Sequence, residues 1–376
     1  MEFKKEDLFS KLPIDIVFDI LSRLPLKTIS QCRWVSKTWY SFIQHPPFTQ
    51  LHFTRTTPIP CAAFIGGRYS QSYVTDPECF LNSKKRVTAY DLELKEFKDN
   101  FRVPNGSWIC FDVVGTVNGL ICFSEMGNYC SSPYYICNPI TLDYVILPRS
   151  PMICYGHMAS GFGFDSVSNQ YKVFRILRSN EVEVFTLGSD CWRPIRTNTS
   201  FIRSMNRSHA LLNGCIHWVA DSRVDGKACT VILSLNVATE EFSIIQMPSI
   251  SNGFKRSSSY ELMVLGERLC VSLCDTRADR ETWVMKEYGK LGSWTEEYIF
   301  PQEFYPRLSH RCSHGIMEIR NNELVMFSKA LGYYHCENKT FNPAKVVDVQ
   351  GCGVGMTDFQ IFFTGSLVSP RIIGDN

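Results

Sequence analysis

Apolar residues recur at helical spacing from Leu12 to Phe48, LPIDIVFDILSRLPLKTISQCRWVSKTWYSFIQHPPF, and at two-residue spacing over most of the chain beyond about residue 60. On a wheel of about 100° per residue, the stretch Ile14 to Leu24 gathers Asp15, Asp19, Ser22 and Arg23 into one sector of about 100°. Ile14, Ile16, Val17, Phe18, Ile20, Leu21 and Leu24 sweep the other side over about 200°, roughly twice the stripe of a helix lying on a single core. This helix therefore has two apolar surfaces, and so short a segment can cover only one of them.

Pro13 suits a first helical turn, where its missing N–H is no loss, and Pro25 stops the helix and restarts the chain in a new direction. A second helix is predicted from Leu26 to Trp34, and Ser36 is placed to cap a third that carries Trp39, Phe42 and Ile43. His45-Pro46-Pro47 is expected to end it. Three helices in about 40 residues fall at the size where an isolated core is usually inadequate without a metal, a disulfide or a partner. Cys32 and His45 stand alone and far apart, so no metal site is offered here.

Beyond this unit the pattern becomes that of strands, with runs of Val, Ile, Phe, Tyr and Trp punctuated by Gly, Asn, Pro and Asp. VNGLICF at Val117, LNGCIHW at Leu212, GERLCV at Gly266 and NNELVMF at Asn321 each place a tight turn before an inner apolar strand. Each is answered by a strand, a polar turn and a returning strand, beginning at Tyr134, Val231, Trp283 and Tyr333. The last three turns are spaced by about 53 to 55 residues. Ser160 to Ile195 supplies a further unit with a different opening, and the region from Ala62 to Phe101 hints at another, which makes six. Repeats of about 45 to 55 residues with four short antiparallel strands each predict radial blades of a kelch-like propeller. The apolar run Phe359 to Leu367 is expected to add a strand to the first blade and hide its edge. The resulting division is a tail over 1–11, a helical domain over 12–50, a linker over 51–61, a β domain over 62–370 and a tail over 371–376.

Composition changes this picture little. With 44% hydrophobic, 20% charged and 13% aromatic residues among 376, the chain is ordinary globular material. A net charge of +2 without a clustered excess of Lys and Arg argues against a nucleic-acid or anionic-membrane surface, and Lys84-Lys85-Arg86 reads as a solvated loop. The N-terminal residues lack the apolar core of a secretory signal, and no segment reaches bilayer-spanning length. The 16 Cys are scattered singly among apolar neighbours without a CxxC pair, as buried thiols in a reducing compartment. The expected location is the cytoplasm or nucleus.

Candidate chemistry is sparse. Gly161-Phe162-Gly163 is followed by neither the third glycine nor the Lys-Ser/Thr of a phosphate loop, with a strand next where a helix is required, and the glycines at 351, 353 and 355 likewise open no such loop. His310, Cys312 and His314 alternate along one strand face as three zinc-type ligands, but no fourth is evident. Asp143 and Asp165 read as turn residues, and Trp192, Trp218, Trp283 and Trp294 as blade core. The expectation is a chain without cofactor, metal or catalytic residues, and the loops carry no code for a target.

Two resemblances sharpen these readings. Leu12-Pro13, Ile20-Leu21, Arg23-Leu24-Pro25, Cys32-Arg33, Val35-Ser36-Lys37, Trp39 and Pro47-Phe48 resemble an F-box nearly position for position. Asn118-Gly119-Leu120, Asn138-Pro139, Gly161 to Asp165 with Tyr171-Lys172-Val173, Asn213-Gly214 with His217-Trp218, and Ser293-Trp294 resemble the plant F-box-associated domain. Together they imply a three-helix F-box followed by a six-bladed kelch-like β-propeller. The implied role is that of a non-catalytic substrate receptor of an SCF ubiquitin ligase. It would dock on a Skp-type adaptor and, through it, a cullin and a RING subunit, and would present a protein target for ubiquitination and degradation. Leu12, Pro13, Ile16, Ile20, Leu24, Pro25, Val35 and Trp39 are the positions the resemblance puts at or beside that adaptor, the alternative for Val35 and Trp39 being that they pack the helices together. A propeller that scaffolds or inhibits a partner without degradation is the competing function.

Overall fold

Each N-terminal helix starts where the sequence supplies or excuses a backbone hydrogen bond. In a computed structural model of the chain, α1 (Ile14–Leu21) follows Pro13, whose carbonyl accepts from the Ile16 and Val17 N–H groups at 3.0 and 3.2 Å. The second helix, α2 (Leu26–Cys32), follows Pro25, and α3 (Lys37–Gln44) is capped by Ser36, whose Oγ accepts the Trp39 N–H at 3.2 Å. A fourth helix, α4 (Pro46–Arg55), was not expected. The two prolines that end α3 also occupy the first positions of α4, where a missing N–H costs nothing. The helical unit thus has four helices rather than three, and α4 occupies part of the stretch expected as linker. Val17, Phe18, Leu21, Leu26, Ile29, Ile43 and Phe48 form its buried core.

The structure describes residues 12–56, 60–65, 72–75, 86–91, 111–125, 133–152, 157–177, 181–196, 202–224, 227–249, 260–273, 279–300, 316–320, 323–327, 331–338, 340–343, 345–347 and 359–371. Beyond the helices these residues form six sheets. The first begins with β1 (Pro60–Ile65), β2 (Ser72–Thr75) and β3 (Arg86–Asp91). Five four-stranded antiparallel sheets of consecutive strands follow. They are β4 (Phe111–Val117), β5 (Leu120–Glu125), β6 (Tyr134–Cys137) and β7 (Tyr144–Ile146), then β8 (His157–Asp165), β9 (Gln170–Leu177), β10 (Val182–Thr186) and β11 (Arg193–Ile195). Next come β12 (Ile202–Leu212), β13 (Cys215–Val224), β14 (Lys227–Asn236) and β15 (Phe242–Gln246), and β16 (Tyr260–Leu265), β17 (Arg268–Leu273), β18 (Arg280–Met285) and β19 (Trp294–Phe300). The last of the five is β20 (Ile316–Arg320), β21 (Glu323–Phe327), β22 (Leu331–His335) and β23 (Thr340–Pro343). Two final strands, β24 (Lys345–Val347) and β25 (Phe359–Thr364), return to the first sheet. Its order is β24-β3-β2-β1-β25, with β24 parallel to β3, so this sheet is not the four-stranded antiparallel unit expected of every repeat. The expected closing strand is found, as β25 pairs with β1 over six residues, from Pro60 opposite Thr364 to Ile65 opposite Phe359.

Successive sheets bury their faces against one another in a β-propeller-like arrangement. Phe162, Val173 and Phe185 of one sheet share a cluster with Val114, Leu120 and Ile136 of the sheet before it, and Trp218 and Leu233 share another with Phe174 and Val184. The four recurrent motifs hold the second strand of their sheets, β5, β13, β17 and β21, and the three turns before them that the described residues include are left-handed at both central residues. Asn118-Gly119 has φ of 49° and 85°, Asn213-Gly214 has 52° and 70°, and Gly266-Glu267 has 54° and 56°. The Gly266 turn therefore keeps the hairpin geometry that Asn-Gly favours even though Glu267 must bear the steric cost. His217 is buried on β13, its Nδ1 3.1 Å from the Ala210 carbonyl and its Nε2 2.7 Å from the Tyr288 hydroxyl, joining two neighbouring sheets. Burial drives its pKa down to about 4.

Asp165 and the tryptophans behave as anticipated. Asp165 accepts the Val167 and Ser168 N–H groups at 2.9 and 3.2 Å and pairs with Lys172 at 2.9 Å, which holds its carboxyl well below the usual range despite burial. Trp192 and Trp218 are buried, and Trp283 and Trp294 pack against a blade core.

Candidate adaptor-docking surface

Helix α1 divides its apolar residues as the wheel demands. Val17, Phe18 and Leu21 enter the core, where Phe18 packs against Phe42 and Phe48 with ring centroids 6.3 and 5.3 Å away. Ile16 and Ile20 remain 48% and 41% exposed on the other side, flanked by exposed Leu12, Pro13 and Ile14. The bend between α2 and α3 adds Trp34 and Val35, 81% and 65% exposed, and Pro25 is exposed between α1 and α2. So many large apolar side chains in about 25 residues exceed the scattered singles of an ordinary surface.

Two of the residues expected at this surface lie partly inside. Leu24 and Trp39 are half-buried against the helical core, and the Leu24 carbonyl lies 3.1 Å from His52 Nε2. His52 itself is buried, which lowers its pKa. Trp34 and Tyr40 were not singled out from the sequence. Trp34 lies beyond the end of α2, where helical periodicity says nothing of its direction. Tyr40 is exposed on α3 and carries the Arg33 guanidinium over its ring at 5.2 Å.

Polar contacts stiffen the unit from the side. Asp19 bonds to Arg55 of α4 at 2.6 Å and to Arg23 at 2.8 Å, and the Arg55 hydrogen bond leads the interactions that lower the Asp19 pKa. Arg55 Nη1 also donates to Ser22 Oγ at 2.9 Å.

Other residues of the unit meet the propeller. Leu367, just past β25, lies in the helical core cluster, and Ile140 from the turn between β6 and β7 packs against it. Buried Arg33 donates from Nη1 to the Thr141 carbonyl at 2.7 Å and faces buried Asp143 at 3.7 Å. Asp143, read from sequence as a turn residue, is thus also an ionic contact of the helical unit. The residues after β25 are themselves fastened. Ser366 Oγ donates to the Asn118 carbonyl at 2.6 Å, and Asn138 Nδ2 donates to the Ser366 and Val368 carbonyls at 3.0 and 2.7 Å.

Among the described residues no group of His, Cys, Asp and Glu is gathered to hold a metal ion. His310, Cys312 and His314 lie outside the described residues. No helix among the described residues is long and apolar enough to cross a membrane.

The chain thus joins a small helical unit with an uncovered apolar face to a propeller-like β domain. The F-box domain family matches residues 9–51 and the F-box associated beta propeller domain family matches residues 74–363, so the chain belongs to the plant F-box proteins with a C-terminal F-box-associated domain. It is similar to F-box protein CPR1 of Arabidopsis thaliana, with 28% identity over 84% of this chain and 81% of that protein. It is also similar to F-box/kelch-repeat protein At3g23880 of Arabidopsis thaliana, with 27% identity over 99% of this chain and all of that protein.

Proposed function

We propose that this protein is the substrate-recognition subunit of an SCF ubiquitin ligase in the cytoplasm or nucleus, docking to a Skp-type adaptor through Leu12, Pro13, Ile16, Ile20, Pro25 and Val35. The adaptor would connect it to the cullin and RING subunits. Leu24 and Trp39 would contribute at the margin, each with one side in the helical core. The six sheets are the blades of a ring closed by β25, and a protein target held on that ring is brought near a ubiquitin-charged enzyme. The chain itself makes no covalent bond in this scheme; it supplies binding and proximity.

The observation that carries the reading is the exposure of Ile16 and Ile20 on a helix whose inward residues already fill the core. Covering the exposed half of each of these side chains with a partner contributes about 1 kcal/mol, which favours use of the face as a binding surface. The test is capture of a purified Skp-type adaptor by the full chain and by Ile16→Asp/Ile20→Asp. Loss of capture by the double variant supports the reading, and undiminished capture refutes it. Target levels that stay constant when the proteasome is blocked would instead favour a propeller that scaffolds or inhibits its partner.

A further inference from the structure

We propose that Arg33 and Leu367 are positioning residues, which lock the helical unit at one orientation on the propeller so that a target is presented at a fixed place relative to the adaptor. The functional half of this statement rests on the ligase reading; the mechanical half does not. A covalent connection between two folded units leaves their orientation free unless contacts restrict it. Here the contacts are buried and come from two separate parts of the propeller.

Leu367 is 2% exposed and belongs to the same cluster as Val17, Phe18 and Leu21, so the helical core is completed by a side chain from the far end of the chain. Its backbone cannot swing away with the helices. Ser366 and Val368 on either side of it are held by Asn138, and Ser366 also bonds to the turn after β4. Ile140 and Thr141, from the turn that Asn138 opens, meet the helices directly. The Asn138 Oδ1 accepts the Ile140 and Thr141 N–H groups at 2.8 and 3.3 Å, which sets the shape of that turn.

Arg33 acts differently from Leu367. Its Nε and the Asp143 Oδ2 are buried without a hydrogen-bond partner among the described residues, and the two charges sit 3.7 Å apart. A buried pair so incompletely satisfied returns little net stability once desolvation is counted. What it does provide is direction, since rotating the helical unit away would leave the Asp143 carboxylate and the Thr141 carbonyl buried without their cation. Leu367 therefore grips, and Arg33 selects the angle. Ile16 and Ile20 take no part in these contacts and stay exposed while the junction is fixed.

The test is the distance distribution between fluorophores introduced as non-natural amino acids at exposed Lys37 and Asn213 of the full chain. Wild type is expected to give one narrow distribution, as is Ile20→Asp, which loses only the adaptor. Arg33→Met and Leu367→Ala are expected to broaden it at least about twofold, and Arg33→Lys, which retains a donor for Thr141, to restore much of the narrowness. Hydrogen exchange of β12 to β15 serves as the folding control, and if Leu367→Ala unfolds the helices then Arg33→Met decides alone. A broad wild-type distribution, or a narrow one in Arg33→Met, overturns the proposal. Failure of wild type to bind an adaptor would overturn the ligase reading and leave the distance result standing.

Discussion

Trp218 and Gly161 meet across the junction of two blades so closely that a Cβ on the glycine would lie 2.7 Å from Trp218 Cζ2. The indole also donates from Nε1 to the neighbouring Ser160 carbonyl at 3.0 Å, so the ring cannot slide aside without losing that bond. The Gly-Phe-Gly-Phe run is thus a packing device. Gly161→Ala is expected to destabilise the protein by about 1–3 kcal/mol, seen as a lower urea midpoint, because overpacking forces ring or backbone to shift. Trp218→Phe in the same background should recover part of the loss; an unshifted midpoint for Gly161→Ala alone would contradict the contact.

Ile16→Asp and Ile20→Asp are expected to leave the melting curve of the free protein within about 1 kcal/mol of wild type, since both side chains lie outside the helical core with about half of their surface exposed. Leu24→Asp should instead lower it, because that residue is half inside the helical core. Melting and adaptor titration of the three variants separate docking positions from packing positions.

Trp34 makes a sharper case. With four-fifths of its surface exposed it contributes little to folding, so Trp34→Ala should not alter stability but should weaken adaptor binding about tenfold or more if the indole is an anchor. Isothermal titration reads both the affinity and the heat-capacity change, and an unaltered affinity would remove Trp34 from the interface.

The neutral state of His217 gives the propeller an acid limit. Its pKa in the fold is about 4 against about 6.5 in the unfolded chain, so the unfolded state binds the proton first as pH falls. Stability from this residue is complete above pH 6.5 and declines toward pH 4, by on the order of 2–3 kcal/mol. Denaturant midpoints measured from pH 7 to pH 4 should fall, and the fall should be shallower in His217→Gln; identical slopes would show that other groups govern it.

The two-faced character of α1 was legible because its six apolar residues cannot share one stripe, and the repeat was legible because left-handed turns favour Asn and Gly at recurring places. What sequence could not show were relationships between distant parts. Helix α4 was hidden because a Pro pair both ends one helix and begins another. Leu24 and Trp39 obey the same apolar pattern as Ile16 and Ile20, and only the fold shows that they turn partly inward. Asp143 matched a turn residue locally, and its partner Arg33 lies in another domain. The closing strand β25 was legible in its apolar run, but the irregularity of the first sheet escaped because β24 joins β3 in parallel from the far end of the chain.

That first sheet, shared between early and late strands, bears on how the molecule is made. The ribosome releases the F-box helices long before Leu367 exists, and β1 long before β25, so nascent chains must wait with an unfilled helical core and a bare strand edge. A transcript cut short upstream of β25 would yield neither a sealed ring nor a finished helical unit. Loss of the last strand would thus be felt at both ends of the molecule at once, as a gap among the helices where Leu367 belongs and as an unpaired β1 edge.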